Sequence, residues 1–323
     1  MTLSGSNPAP KVSVVIPSYK TAHLIRACLD SVFAQTYTDF EAIVVNDGSP
    51  DTAELEKVLA PYFDRIVYLK QENKRAAGAR NHAIGKARGE YVAFLDSDDA
   101  WLPNHLASQM KLFADDPSLG MVYANALLVG DPEHEQEFME RCPSSGQADF
   151  DALISERCQI PISTVVVKRQ DLLHAGLFDE ALPRCDDYDM WVRAAFHDTK
   201  IGYNPTVQAR LLIGRPGSLG QSRSKMIEAY WNILEKFKRT LPLSGQQRAI
   251  VNARAEEVKA LYLLEEGKCR LAEHRFEEAR KLIEGANSHL RRSMLTLAVL
   301  GLRFAPGATG RFMTFWNRTR NAT

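Results

Sequence analysis

The chain has 323 residues, enough to bury one large core or two medium ones. Its 40 basic and 40 acidic side chains cancel, so no global charge points to a nucleic-acid partner. The five cysteines, at 28, 142, 158, 185 and 269, form no C-x-x-C pair and no metal-ligand pairing, which fits free thiols in a reducing compartment.

Residues 1–10 ("MTLSGSNPAP") hold no apolar h-region and read as a disordered leader without a secretory signal. "VSVVI" (12–16) is a continuous β-branched run, the pattern of a strand buried on both faces. Residues 22–34 put Leu24, Ile25, Cys28, Leu29, Val32 and Phe33 on one helical stripe. "FEAIVV" (40–45) is a second strand. "NDGSPD" is turn chemistry, with Ser49 as N-cap and Pro50 as the first residue of a helix running through Leu59. "RIVYL" (65–69), a helix over 76–87 and the strand "YVAFL" (91–95) follow. This alternation predicts an α/β domain, Rossmann-like, with a mostly parallel doubly wound sheet. After residue 125 the pattern loosens: 130–148 reads as loop, "STVVVK" (163–168) as a strand and 186–197 as a helix.

From about residue 223 the chain reads as all helical, over 223–239, 246–266, 268–287 and 289–304. A boundary is expected near 220, in "GRPGSLGQS", separating a domain over 11–220 from a helical region over 221–323. "EEGKCRLAEHRFEEARKLIEGA" is similar to one tetratricopeptide-type hairpin, with Gly267, Ala272, Phe276 and Ala279 at small and aromatic packing positions. One unit falls short of the ~3 that a stable repeat array needs. The stretch 289–323 carries Arg291, Arg292, Arg303, Arg311, Arg318 and Arg320 and no acid. It reads either as an amphipathic segment lying on an anionic membrane surface or as a terminal helix packed on the hairpin with a solvated basic tail. The apolar run 294–302 is far shorter than the ~20 residues a spanning helix needs. The chain is therefore expected in the cytoplasm, with membrane contact through 289–320 peripheral at most.

"FLDSDDAW" (94–101) ends an apolar strand in three carboxylates, Asp96, Asp98 and Asp99. Like charges so close need a cation or another partner. A calcium-binding EF-hand loop is excluded, because its sixth position would be Trp101 and its twelfth Ala107. Three readings stand: a phosphohydrolase with Asp96 as nucleophile, a divalent metal bridging a diphosphate, or a solvated turn whose Asp99 starts the helix that Pro103 continues. In open α/β sheets, ligands bind beyond the carboxyl ends of the strands. Pro17-Ser18-Tyr19, Asn46-Asp47 and Asp96–Asp99 all follow predicted strands, so three polar clusters would share one sheet edge. Asp186, Asp187 and Asp189 open a helix, where acids also suit the positive end of the dipole. Trp101 and Trp191 read as walls of a sugar or acceptor site or as core residues, Tyr19 as a ligand platform or a packing residue. Cys185 reads as a small filler, His82 and His105 as surface or core histidines.

"KVSVVIPSYK", "IVVNDGSPD", "AAGARNHAIGKARGEYVAFLDSDDAW" and "FDEALPRCDDYDMWVRA" stand in the order and spacing of the family 2 glycosyltransferases, which the chain resembles over 11–220. The resemblance implies the GT-A fold and an inverting transfer from a nucleotide-diphosphate sugar, a UDP-sugar, to an acceptor hydroxyl. It implies Mn²⁺ or Mg²⁺ as cofactor. The partners would be the donor and a saccharide or lipid-linked acceptor of bacterial cell-surface polysaccharide or oligosaccharide synthesis. Pro17 and Tyr19 would line the base pocket, Tyr19 stacking on uracil, and Asp47 would accept from the base imide. Arg80 would reach base or phosphates. Asp96 would contact ribose and sugar and share the metal, Ser97 would lie in the same nucleotide-binding stretch, and Asp98 would be the main metal ligand. Asp187 would be the catalytic base. The family usually has Glu where Asp186 stands, and often His where Arg215 stands; a guanidinium cannot ligate a metal but can pair with a diphosphate. A degenerate transferase serving as a scaffold through its helical tail, and the phosphohydrolase, are the alternatives.

Overall fold

Every residue from Val14 to Ile16 is fully shielded from water, as a strand with helices on both faces requires. This segment is the hub of the sheet. The structure, a computed structural model, describes residues 9–130, 135–142, 144, 148–215 and 222–309. Most of the expected leader, the centre of the expected boundary (216–221) and the basic tail beyond 309 lie outside them. Two units divide the chain, Met1–Gly217 and Ser218–Thr323.

The first unit alternates β1 (Val12–Ser18), α1 (Ile25–Phe33), β2 (Phe40–Asp47), α2 (Thr52–Leu59), β3 (Ile66–Gln71), α3 (Arg75–Lys86) and β4 (Tyr91–Phe94). β5 (Ala100–Trp101), α4 (His105–Asp115), β6 (Met121–Val129), β7 (Gln136–Glu137), α5 (Phe138–Arg141) and α6 (Phe150–Ile154) follow. It ends with β8 (Val166–Lys168), α7 (Arg169–His174), α8 (Asp186–Phe196) and β9 (Ile201–Leu212). The strands form one sheet in the order β3-β2-β1-β4-β8-β6-β9-β5, with β7 on β6. β1, β2, β3 and β4 pair in parallel, and β8 runs antiparallel to both β4 and β6. The strand order reverses at β1, which carries β2 on one side and β4 on the other. A doubly wound sheet opens a ligand crevice at such a reversal.

Several elements depart from the sequence pattern. Ser49 does not cap α2, which begins at Thr52; its hydroxyl accepts from the Lys20 amide at 2.7 Å and donates to Asp51. Asp99 does not start α4, which begins at His105 after Asn104, because its carboxylate is engaged elsewhere in the fold. The expected loop over 130–148 contains β7 and α5 among its described residues; 131–134, 143 and 145–147 lie outside them. The strand expected over 163–168 is shortened to β8 by a helical turn, Ile162–Thr164. β6 and β9 form a long parallel pair that the sequence pattern does not announce.

The second unit is helical: α9 (Arg223–Thr240), α10 (Gly245–Ala272), α11 (Phe276–Leu290) and α12 (Ser293–Phe304). The expected break at 267 is absent, and α10 is one helix of 28 residues opened by a Ser244/Gln247 capping box. Gly267 lies where a Cβ would come within 2.7 Å of Ile283 Cγ1, so it is the close-approach point of α10 and α11. Ala279 and Phe276 pack into the same core, with Ile283 and Leu271, whereas Ala272 is exposed. Among the described residues, no helix is long and apolar enough to cross a membrane.

Candidate active site

α3 brings the main cation of the site. Its inner face is made of small residues, Ala77, Ala79 and Ala83, all buried, and among them Arg80 is only 4% exposed. The Arg80 fork spans two carboxylates: Nη1 donates to Asp186 Oδ2 and Nη2 to Asp96 Oδ1, both at 2.7 Å. The end of β4 and the start of α8, 106 positions from Arg80 in sequence, are thereby locked together. Burial opposes the charge on Arg80, but Asp96, Asp186 and Asp187 hold its pKa above the ordinary guanidinium range. Asn81 adds a second clamp, donating to the Phe178 carbonyl at 2.8 Å and accepting from the Phe178 amide at 3.0 Å.

The three acids at the start of α8 divide. Asp189 is fully buried and pairs with Arg193 at 2.8 Å, a structural contact. Asp186 belongs to Arg80. Asp187 is partly exposed and, among the described residues, has no ion-pair partner; its Oδ1 accepts from the Tyr188 amide at 2.9 Å. Burial first, then Asp186, pushes the Asp187 pKa up to about 6 against the opposing pull of Arg80. Cys185, the N-cap, adopts a left-handed conformation (φ 56°), uncommon for a non-glycine residue, directly before these acids. Burial, then Asp187 and Asp186, pushes its thiol up to about 12, which keeps it protonated at neutral pH.

The strand-end acids divide as well. Asp98 Oδ2 accepts from Arg215 Nε at 3.1 Å and lies 3.0 Å from its Nη2. Burial and Asp96 raise the Asp98 pKa, and Arg215 opposes them. Asp99 is buried; it accepts from Ser163 Oγ at 2.5 Å and from the Leu212 amide at 2.9 Å. Ser163 Oγ in turn accepts from the Asp96 amide at 3.1 Å. Ser97 is buried with its hydroxyl 2.8 Å from Thr21 Oγ1, which is 2.9 Å from Ser18 Oγ. These hydroxyls tie the ends of β1 and β4 together.

At the end of β2, Asp47 is buried and its Oδ1 accepts from Gln71 Nε2 at 2.7 Å and from the Lys74 amide at 2.8 Å. Gly48 (φ +64°) allows this, since a Cβ there would lie 2.7 Å from the Asn73 nitrogen. Gln71 and Lys74 also line a pocket of about 380 Å³ with Gly78, Asn81, His82 and Glu180. Pro17 is half-buried, and Tyr19 is 42% exposed with Lys20 Nζ 5.3 Å from its ring centre. Trp101 and Trp191 belong to the core. Trp101 donates to the Ser163 carbonyl at 2.6 Å and stacks on His105, and Trp191 packs beside Phe94 and Phe178. His105 is fully buried and neutral, its pKa pushed down to about 3 by burial. Asn81, Ser163 and Thr21 support the site without a signal of their own in the sequence.

The strand reversal, with carboxylates from the β4 end and α8 gathered on one buried arginine, agrees with the GT-A fold that the sequence resemblance implies. Comparisons with known proteins agree. The model of the family "Glycosyl transferase family 2" matches residues 13–155. The chain is 30% identical over 227 residues to the Escherichia coli UDP-Glc:alpha-D-GlcNAc-diphosphoundecaprenol beta-1,3-glucosyltransferase WfgD, covering 70% of this chain and 86% of that one. It is 32% identical to an uncharacterized glycosyltransferase of Rickettsia felis over 57% of this chain, and spans only 31% of that protein's length. Among solved structures, S. aureus TarS 1–349 in complex with UDP-GlcNAc matches with a TM-score of 0.61 and 16% identity, covering 96% of this chain and 92% of that one. The mannosyltransferase PcManGT of Pyrobaculum calidifontis, in complex with GDP-Man and Mn²⁺, matches with a TM-score of 0.59 and 20% identity, covering 96% and 88%. The chain belongs to glycosyltransferase family 2.

Proposed function

We propose that the protein transfers a sugar from a UDP-sugar to an acceptor hydroxyl with inversion. The carrying observation is the Arg80 fork, which fixes Asp96 at the end of β4 and Asp186 at the start of α8 in one cluster. Next to Asp186 stands Asp187, the acid whose pKa is raised to about 6 and which has no ion-pair partner among the described residues. A carboxyl so tuned is a stronger base than an ordinary one yet still ionised at neutral pH. Asp187 takes the acceptor hydroxyl proton as the oxygen attacks the anomeric carbon opposite the departing diphosphate. One base and no covalent intermediate give inversion. Pro17, Tyr19 and Asp47 hold the base at the ends of β1 and β2, and Asp96 and Ser97 lie on the ribose and sugar side.

The residues present fit a divalent cation. Asp96 and Asp98 offer hard carboxylate oxygens, and each has only one oxygen in its arginine pair. Among the described residues no three His, Cys, Asp or Glu side chains form a ready cage. The protein would supply these two carboxylates, with diphosphate and water completing the shell of Mn²⁺ or Mg²⁺. Bound there, the cation supplies charge neutralisation for the leaving group. Arg215, already at Asp98, pairs with the same diphosphate.

The name of WfgD, a UDP-glucose enzyme acting on a diphosphoundecaprenol-linked sugar, supports UDP as the nucleotide and a lipid-diphosphate-linked saccharide as acceptor. The test is turnover of a panel of UDP-sugars with Mn²⁺. The expected result is UDP release by the wild-type chain and none by Asp187→Asn, with UDP affinity within about twofold of wild type. Full turnover by Asp187→Asn would place the base elsewhere.

A further inference from the structure

α12 is apolar on two faces, and the described residues cover one of them. Leu295 and Leu302 are buried in one core with Leu264, Leu271 and Ile283 of α10 and α11, and Ala298 is buried as well. Met294, Leu297, Leu300 and Phe304 are exposed to 53%, 69%, 46% and 79%. The other exposed large apolar side chains, Tyr19, Phe63, Val67, Leu173 and Ile213, are scattered over the first unit. Isolated residues of that kind are ordinary, but four on one helix mark a contact surface.

The charge around this face says what covers it. Arg291 and Arg292 lead into the helix, both exposed and, among the described residues, without an ion-pair partner. Arg303 is exposed near its other end. The sequence from 289 onward has no acid, and it adds Arg311, Arg318 and Arg320. α10 and α11 differ in this respect, since Arg270, Arg275 and Arg280 are each paired with glutamates three or four positions away or nearby. A protein partner would be expected to bring acids to meet such a run, and an anionic bilayer presents them as phosphates beside an apolar layer. The twelve residues of α12 reach about 18 Å along the axis, too short to span a bilayer, so the helix can only lie in its surface.

We propose that α12 docks the protein on an anionic lipid surface, with Met294, Leu297, Leu300 and Phe304 in the headgroup layer and Arg291 and Arg292 on lipid phosphates. This rests on the second unit alone and holds whether or not the transfer chemistry is as described above. The experiment is flotation of the full chain with vesicles of phosphatidylcholine, with and without phosphatidylglycerol, at low and high salt. The chain should float with the anionic vesicles and stay behind with the neutral ones, and salt should weaken binding. Leu297→Glu with Phe304→Glu should abolish flotation while the circular dichroism melt is unchanged, since both side chains are exposed. Each of Arg291→Ala and Arg292→Ala should weaken partition about fivefold. Failure of the wild-type chain to float with anionic vesicles overturns the proposal, as does equal flotation of the double glutamate variant or equal binding to neutral lipid. A chain that sediments as a dimer, becomes monomeric in the double variant and never floats would show that a second copy covers this face.

Discussion

In the proposed transfer Asp187 is the base, and its environment would set both the rate profile and its contribution to stability. Its pKa lies near 6, above the ordinary aspartate value, so the proton it takes up below that pH removes the base. Turnover should rise with pH on an acid limb with an apparent pKa of about 6 and be flat above it, measured as kcat under saturating donor. The same shift has a stability consequence of opposite sign. A folded carboxyl that holds its proton more tightly than the unfolded one stabilises the fold at low pH, and that contribution is lost as pH rises through about 4 to 6. Asp187→Asn removes a negative charge that the fold disfavours, so it should melt above the wild type at about pH 8 and lose that advantage near about pH 4, by calorimetry at both. Asp99 shows the limit of reading single residues from sequence. Its position after Ser97-Asp98 suggested a helix start, but its partners are Ser163 and the amide of Leu212, which is 113 positions away. No local pattern encodes a contact of that separation.

At the scale of elements, the site is a junction of α3, the β4 end and α8, and Arg80 is the tie. Its guanidinium is buried and its partner Asp186 nearly so, and removing one member of such a cluster leaves uncompensated charge. Arg80→Ala should lower the unfolding free energy of the first unit by about 3–5 kcal/mol in urea. Arg80→Lys should recover only part of the loss, because a single ammonium cannot bridge two carboxylates as a planar fork does. Equal stability of the lysine variant would show that charge alone, without the fork, holds the junction. The elements that build this junction were legible because β1, β2 and β4 are buried on both faces and α1 and α3 carry regular inner stripes. β6 and β9 were not. β9 contains Pro205, and the pairing jumps from Ala124↔Asn204 to Asn125↔Val207, a bulge that accommodates the proline and breaks the alternation a strand would show. In the second unit Gly267 suggested a break, since glycine weakens a helix by about 1 kcal/mol, yet packing against Ile283 favours glycine at that point and α10 continues.

At the scale of the whole molecule, the balance of 40 acids and 40 bases conceals a local excess. Asp96, Asp98, Asp186 and Asp187 share the two guanidiniums of Arg80 and Arg215, leaving two carboxylates' worth of negative charge at the strand ends. Asp98 registers this excess, as its pKa is raised by burial and by Asp96 even with Arg215 in contact. A diphosphate entering the cluster adds further negative charge, so nucleotide binding by the chain alone has to overcome repulsion. A divalent cation reverses that sign. UDP should therefore bind at least about tenfold more tightly with Mn²⁺ than in EDTA, a difference of about 1.4 kcal/mol by titration calorimetry. Because ligand binds only the folded state, saturation at about a hundred times the dissociation constant should stabilise the first unit by about 2.7 kcal/mol and raise its melting temperature. Asp98→Ala takes away one carboxylate and the partner of Arg215 together. If Asp98 holds the cation, this variant binds UDP with the same affinity in Mn²⁺ and in EDTA. If it serves only to seat Arg215, the Mn²⁺ effect survives the substitution and the metal assignment falls.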